Sequence, residues 1–182
     1  MKIAIDPGHG MSNKQPGVYD PGASHVENGQ PFEEAAIALK YGLALRDICR
    51  GQNLDVFMTR DDASDHAPVR ERARNAEQAG CDVFVSFHLN DVEDDRANGL
   101  EVLYGNQKHE ALAKALQGAL IKTTGFKNRG AKLRGDLAVL KFKGQAALIE
   151  LGFIGNDGDR TTLLNPLKRE QICNSIVSVI IK

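Results

Sequence analysis

The sequence has no excess of basic residues and no block of like charge. Its 182 residues include 23 lysines and arginines against 24 acidic residues, and the pI is near 6.5. Nucleic acids and anionic lipid surfaces are bound through clustered positive charge. We therefore expect neither nucleic acid nor a membrane surface as a partner.

Cysteine is scarce, and long apolar runs are absent. Cys49, Cys81 and Cys173 are odd in number and lack C-x-x-C spacing, so we predict reduced core residues and no disulfide framework. The apolar runs are too short to span a bilayer, and the sequence opens with a strand-like K-I-A-I segment instead of a basic and then apolar leader. We expect that the protein does not insert into a membrane. We also expect that it is synthesised in the cytoplasm without a signal peptide.

Short β-branched runs alternate with longer helical patterns, and no repeat or linker interrupts them. This alternation predicts one α/β domain, with a mostly parallel twisted sheet of about six strands and helices on both faces. The predicted strands lie near 2–6, 54–59, 82–88, 99–104, 137–141 and 145–151, and the predicted helices near 33–50, 67–79, 107–124 and 166–181. The long loop 10–32, rich in Gly, Pro, Asn and Ser, is expected to line a binding site.

Two histidines follow separate predicted strands: His9 in the segment I-D-P-G-H-G and His88 in S-F-H-L-N. Helical segments connect the strands near 2–6, 54–59 and 82–88, and such crossover connections make consecutive strands parallel. Parallel strands end at one edge of the sheet, which is where open α/β sheets bind ligands. We therefore expect both imidazoles at that edge, close enough to share a metal ion.

The helix predicted over 33–50 brings a carboxylate to the same edge. Glu34 is in phase with the apolar residues of that helix, whereas Glu33 shares its face with Lys40. Glu34 is therefore predicted to point into the protein and Glu33 toward solvent. A carboxylate in a first helical turn is also stabilised by the helix macrodipole, by roughly 0.3 to 1 kcal/mol when exposed.

Two histidines and one carboxylate, with a fourth position left to water, form a ligand set typical of catalytic zinc. Hydrolysis of an amide or ester at such a site also needs a group that moves protons. Glu150 follows the apolar run A-A-L-I, where a charge is costly without a function or a partner. We predict one zinc ion bound by His9, Glu34 and His88, with Glu150 as general base and then general acid.

Each of these residues also has a purely structural interpretation. A histidine at a strand end is often only hydrogen-bonded, a first-turn glutamate such as Glu34 often stabilises its helix, and Glu150 could pair with an arginine. The same ligand set also binds Fe(II). The other histidines, at positions 25, 66 and 109, lie in loops or near a helix start, and we predict that they are solvated.

The motifs and their order resemble one enzyme family. The combination of I-D-P-G-H-G, S-x-H-x-N and I-E-x-G-F-I-x-N, with further matches almost from end to end, is similar to the zinc-dependent N-acetylmuramoyl-L-alanine amidases of the amidase-3 type. The resemblance implies that His9, Glu34 and His88 bind zinc and that Glu150 is catalytic. It implies a single catalytic domain over 1–182, and we expect no separate wall-binding domain.

Members of that family hydrolyse the amide between the lactyl group of N-acetylmuramic acid and L-alanine. The resemblance therefore implies a peptidoglycan substrate and degradation of the cell wall. Three basic residues in a glycine-containing segment are candidate contacts for carboxylates of the peptide stem: Arg129, Lys132 and Arg134.

Departures from the family pattern are few. Glu77 and Leu89 stand where asparagine and alanine are usual, and neither change removes a predicted ligand. Segment 90–98 is too short for the autoinhibitory helix that some bacterial members insert after the second histidine.

The missing leader and wall-binding repeats favour one biological role. We hypothesise a phage endolysin that reaches the wall through a holin. The alternatives are a housekeeping bacterial autolysin, another zinc amidohydrolase or peptidase on the same fold, and a non-catalytic wall-binding domain.

Overall fold

The computed structural model describes residues 1–182 and contains eight strands and five α-helices. The strands are β1 (Lys2–Pro7), β2 (Ser24–Glu27), β3 (Gln30–Glu33), β4 (Asp55–Met58), β5 (Val83–Asn90), β6 (Leu100–Tyr104), β7 (Asn128–Leu133) and β8 (Gln145–Phe153). The helices are α1 (Glu34–Gly51), α2 (Val69–Gln78), α3 (Glu110–Thr124), α4 (Asp157–Leu164) and α5 (Pro166–Ile180). Short 3₁₀ turns lie at Gln107–His109 and Val139–Lys141.

The central sheet has six strands in the order β4-β1-β5-β8-β6-β7, and β2 and β3 form a separate hairpin. All neighbours in the six-stranded sheet pair in parallel except β6 and β8, which are antiparallel. Helical crossovers through α1 and α2 make β1, β4 and β5 parallel, as expected for strand-helix-strand units. The prediction of a single α/β domain with a mostly parallel six-stranded sheet is confirmed.

Helices cover both faces of the sheet. On one face, α1, α3 and α5 pack over a core of 26 buried residues, to which α1 contributes Ile37, Tyr41 and Leu45 at helical spacing. On the other face, α2 and the 3₁₀ turn at Val139–Lys141 cover a smaller core of 10 buried residues. No helix is both long enough and apolar enough to cross a membrane.

Several local expectations were wrong. The segment near 137–141 is not a strand: it forms the 3₁₀ turn that packs Val139 and Leu140 against α2. The sixth strand is instead β7, whose polar sequence N-R-G-A-K-L fits an edge strand with one neighbour and an exposed side. The β2–β3 hairpin and α4 were not predicted either, because short elements carry little periodicity.

The burial of the three cysteines and of the other three histidines was predicted only in part. All three cysteines are free, and Cys49 and Cys173 are buried while Cys81 is half-buried. His25 is half-buried and His66 is exposed. The prediction that His109 is solvated was wrong, because the 3₁₀ turn before α3 buries it completely. Burial lowers the pKa of His109, which keeps the imidazole neutral inside the protein.

Candidate metal and catalytic site

Three of the predicted site residues meet at the carboxyl edge of the sheet. Nε2 of His9 lies 3.1 Å from Oε2 of Glu34, and Nδ1 of His88 lies 2.8 Å from Oε1 of the same carboxylate. The donor atoms of the three side chains all lie within 4.8 Å of one another. The two imidazole rings meet edge to face with their centroids 4.9 Å apart. Glu34 thus lies between the two histidines.

Helical phase orients Glu34 as the sequence indicated. It is the first residue of α1, in line with the buried residues of that helix, and only 3% of it is exposed. Its Oε2 accepts the N–H of Ala23 at 2.8 Å, and its Oε1 accepts the N–H of Leu89 at 2.9 Å. Burial alone would raise the pKa of Glu34, but hydrogen bonds from the two histidines hold it well below its usual range. Glu33 is less buried and accepts the hydroxyl of Tyr19.

Asp20 orients the ring of His9. Its Oδ2 lies 2.8 Å from Nδ1 of His9 and accepts the hydroxyl of Ser12, while its Oδ1 accepts the N–H of Gly22. Burial alone would lower the pKa of His9, but Glu34 and Asp20 together raise it to about 9. With its Nδ1 proton held by Asp20, a neutral His9 presents the Nε2 lone pair toward Glu34 and His88, as a metal ligand must.

Two buried arginines hold the backbone that carries His9. This residue has φ +60, a left-handed conformation that costs energy for any residue with a Cβ. Arg72 donates to the carbonyl oxygens of Pro7 and His9, at 2.9 and 2.7 Å. Arg60 Nη2 donates to the carbonyls of Gly8 at 2.8 Å and Ala35 at 2.7 Å. Arg60 therefore fixes the segment before His9 relative to the helix that begins with Glu34.

Two glycines make room for the side chains of the candidate ligands. A Cβ on Gly8 would lie 2.6 Å from Nε2 of His88, and a Cβ on Gly22 would lie 2.5 Å from Oε2 of Glu34. Real side chains do not approach so closely, and Gly22 also has a positive φ of +68. The G-H-G and D-P-G-A segments thus let the backbone pass directly against the imidazoles and the carboxylate.

Glu150 lies beside His88 across the sheet. The two residues are register partners on the parallel strands β5 and β8, so their side chains leave the same face. Glu150 forms no salt bridge, contrary to the structural alternative, and its Oε2 is buried without a hydrogen-bond partner. Burial raises the pKa of Glu150 to about 7, with smaller contributions from the carboxylates of Glu34 and Glu101.

The three predicted substrate contacts lie on or just after β7, each beside an acid. Nζ of Lys132 and Nε of Arg129 lie 2.5 and 3.0 Å from Oε2 of Glu101, the register partner of Glu150 on β6. These hydrogen bonds outweigh burial and lower the pKa of Glu101. Nη2 of Arg134 lies 2.8 Å from Oδ2 of Asp136. The positive charges near Glu150 are therefore largely compensated within the chain.

The donor set fits a zinc ion. Two imidazoles and one carboxylate converge, and zinc accepts nitrogen and oxygen ligands of these kinds. Backbone N–H groups orient the carboxylate of Glu34, and Asp20 orients the ring of His9, which is how supporting residues commonly position metal ligands. This role of Asp20 was not predicted from the sequence, although Asp20 lies in the loop 10–32 that was expected to line a binding site.

Comparison with known proteins identifies the family. The model of the family described as N-acetylmuramoyl-L-alanine amidase (Amidase_3) matches residues 3–182. The chain belongs to this family. The probable cell wall amidase LytH of Staphylococcus epidermidis is 30% identical over 175 residues, which are 96% of this chain and 55% of LytH. This chain thus spans about half the length of that relative.

This chain covers more of the length of two further similar proteins. The germination-specific N-acetylmuramoyl-L-alanine amidase of Bacillus subtilis is 26% identical over 196 residues, covering 99% of this chain and 78% of that protein. The crystal structure of an N-acetylmuramoyl-L-alanine amidase from Clostridium difficile 630 superposes with a TM-score of 0.87 at 25% identity. That superposition covers 99% of this chain and 94% of the other. The fold is therefore that of known amidase catalytic domains.

Proposed function

We propose that this chain is a zinc-dependent N-acetylmuramoyl-L-alanine amidase, which hydrolyses the amide between the lactyl group of N-acetylmuramic acid and L-alanine in peptidoglycan. One observation carries the proposal: in a chain of this family, Glu150 stands in register beside His88, next to the cluster of His9, Glu34 and His88. A buried, unpaired carboxylate beside a hydrolytic donor set supplies the proton carrier that amide cleavage requires.

His9, Glu34 and His88 would hold the zinc ion. When bound, zinc supplies Lewis-acid polarisation of the scissile carbonyl and makes a water molecule more acidic. Asp20 keeps the Nδ1 proton of His9 in place, so that the Nε2 lone pair is available as a ligand. Arg60 and Arg72 hold the surrounding backbone and limit its adjustment during the reaction.

Glu150 would move the proton. As water oxygen bonds to the lactyl carbonyl carbon, the Glu150 carboxylate accepts a water proton. When the carbon–nitrogen bond breaks, Glu150 returns that proton to the nitrogen of L-alanine. The products are a free amine and a lactyl carboxylic acid, which loses the second water proton to solvent and becomes a carboxylate. Burial raises the pKa of Glu150 to about 7, which suits a group that both accepts and releases a proton near neutral pH.

The role of the β7 side in substrate binding is a separate part of the proposal. Arg129 and Lys132 pair with Glu101, the register partner of Glu150, and Arg134 pairs with Asp136; each would contact the substrate by exchanging its acidic partner for a substrate group. Such an exchange gains little, because each cation is already compensated.

The biological setting also remains a proposal. A phage endolysin that acts after release through a holin is one candidate, and a housekeeping bacterial amidase is the other. The second has support in the relatives, which are named as cell wall and germination-specific amidases of bacteria. Expressing the chain in a host with and without a holin separates them: the endolysin proposal predicts lysis only with the holin, and lysis without it contradicts that proposal.

Digestion of purified peptidoglycan tests the activity itself. The zinc-loaded chain is expected to release intact peptide stems that begin with a free L-alanine amine, together with glycan strands that lack peptide. Mass spectrometry of the soluble fraction identifies both. Shortened stems would instead identify a peptidase, sugars without acetyl groups a deacetylase, and binding without any soluble product a wall-binding domain. Each of these three outcomes would reject the proposed amidase.

A further inference from the structure

Two cavities beside the candidate site share part of their lining. The first, about 170 Å³, is lined by His9 and reaches Ser12 and Val69. The second, about 430 Å³, is lined by the same Ser12 and Val69 and continues to Lys14 and Arg70. The two cavities therefore adjoin at Ser12 and Val69, and together they are called the groove here; it extends from the imidazoles past the first residue of α2.

The lining of the groove changes from apolar to positively charged along its length. Val69 is 45% exposed and gives the groove an apolar surface near the candidate site. Beyond it, Lys14 and Arg70 are exposed and form no ion pair. The one acid in this outer part, Glu71, lies 3.8 Å from Arg74 on the same helix. The outer groove therefore offers two cations that are free to bind an anion.

The β7 side of the candidate site differs in charge from the groove. The cations of β7 are compensated by Glu101 and by Asp136. In the proposed reaction, the two parts of the substrate also differ, because the glycan is an uncharged polyol and the peptide begins with the small apolar L-alanine and then carries carboxylates. An apolar surface followed by two free cations matches the order of groups along the peptide.

We infer that the groove of Val69, Lys14 and Arg70 binds the peptide stem. The methyl group of L-alanine lies against Val69, and a carboxylate of the following residue binds between Lys14 and Arg70. This inference rests on the proposed amidase function and assigns the two sides of its cleft: the peptide leaves along α2, and the glycan lies toward β7.

The test compares two soluble substrates that differ only in charge. Both are glycan fragments that carry L-alanyl-D-glutamate, one with free carboxylates and the other with both carboxyl groups amidated. The unmodified chain should cleave the charged substrate with the higher kcat/KM. Lys14→Gln and Arg70→Gln should each reduce kcat/KM for the charged substrate on the order of fivefold, as expected for a partly exposed charge pair. Cleavage of the amidated substrate should change by less than about twofold.

Arg50→Gln is the control. It removes the same charge at an exposed position on α1 that lines neither cavity and forms no ion pair, and it should leave the preference for the charged substrate unchanged. If the Lys14→Gln/Arg70→Gln double variant keeps the full preference while cleavage is normal, the groove assignment is wrong and the amidase proposal stands. Loss of the preference in Arg134→Gln alone would place the stem along β7 and also overturn the assignment. If the unmodified chain cleaves neither substrate, both proposals fail.

Discussion

His88 and Glu150 are direct neighbours on the parallel strands β5 and β8. Register partners project from the same face of a sheet, so strand pairing alone sets the carboxylate proposed to carry the proton beside an imidazole proposed to bind the metal. A slip of one residue between the strands would turn Glu150 to the opposite face, into the core under α1, α3 and α5. The pairing of β5 with β8 is therefore the structural basis of the proposed mechanism.

Glu150→Gln should abolish most activity while retaining zinc. The amide has nearly the size of the carboxylate but cannot accept a proton, so kcat for peptidoglycan hydrolysis should fall by about 10² to 10⁴. Zinc content should remain at the level of the unmodified chain, because Glu150 is not a proposed ligand. Turnover assays and metal analysis on the same preparation check both parts. Undiminished cleavage would show that another group carries the proton.

Asp20→Asn should weaken metal binding through His9. The amide cannot hold the Nδ1 proton of His9 as the carboxylate does, and losses of this kind usually cost about 10- to 100-fold in metal affinity. Competition with a chromophoric chelator measures the affinity. Asp47→Asn, the same change at a position 65% exposed on α1, serves as control and should leave the affinity unchanged. Equal affinities in all three proteins would exclude a positioning role for Asp20.

Gly22→Ala and Gly17→Ala separate backbone strain from crowding of the site. Both glycines have positive φ in the same loop, +68 and +81, so alanine should destabilise either position by about 1 kcal/mol. Only at Gly22 would the new methyl group collide with Glu34 and His9, since nothing lies within 4 Å of the corresponding position on Gly17. Thermal unfolding should show a loss in both variants, the larger one in Gly22→Ala because the collision adds to the strain, whereas zinc binding should fail in Gly22→Ala alone. Normal zinc affinity in Gly22→Ala would contradict the close packing described above.

Asp6→Asn should destabilise the fold in a pH-dependent way. Asp6 is completely buried and accepts hydrogen bonds from Arg72, Ser86 and Thr59, which outweigh burial and lower its pKa. Removing one charge of a buried pair typically costs about 3 to 5 kcal/mol. A depressed folded-state pKa stabilises the protein above the unfolded pKa of about 4, and this contribution disappears as pH falls through the folded value.

Denaturant unfolding of the metal-free proteins between neutral and acidic pH checks this expectation. The difference in unfolding free energy between the unmodified chain and Asp6→Asn should be greatest near neutral pH and should shrink below about pH 4. A difference that stays constant across this range would show that the charge of Asp6 does not carry the effect.

Patterns that depend on one element or on topology were predictable from the sequence. Crossover connections placed His9 and His88 at one edge, and helical phase distinguished the buried Glu34 from Glu33. These inferences needed only periodicity and the handed, parallel geometry of strand-helix-strand units.

Features created by tertiary contacts were beyond such reasoning. β7 has a polar sequence because it is an edge strand, and His109 is buried because a 3₁₀ turn folds it inward. Arg60 and Arg72 are charged residues that become buried by binding backbone carbonyls from distant segments. No local pattern marks such partners, since the contacts with Pro7, Gly8 and His9 span more than fifty residues along the chain.

Metal dependence is the central claim, and one measurement addresses it most directly. The purified chain is analysed for its elements, stripped with a chelator, and assayed on peptidoglycan before and after adding back zinc or Fe(II). We predict one zinc ion per chain, loss of hydrolysis on stripping, and recovery with zinc. Full activity in the stripped protein, or recovery with Fe(II) and not with zinc, would contradict the account.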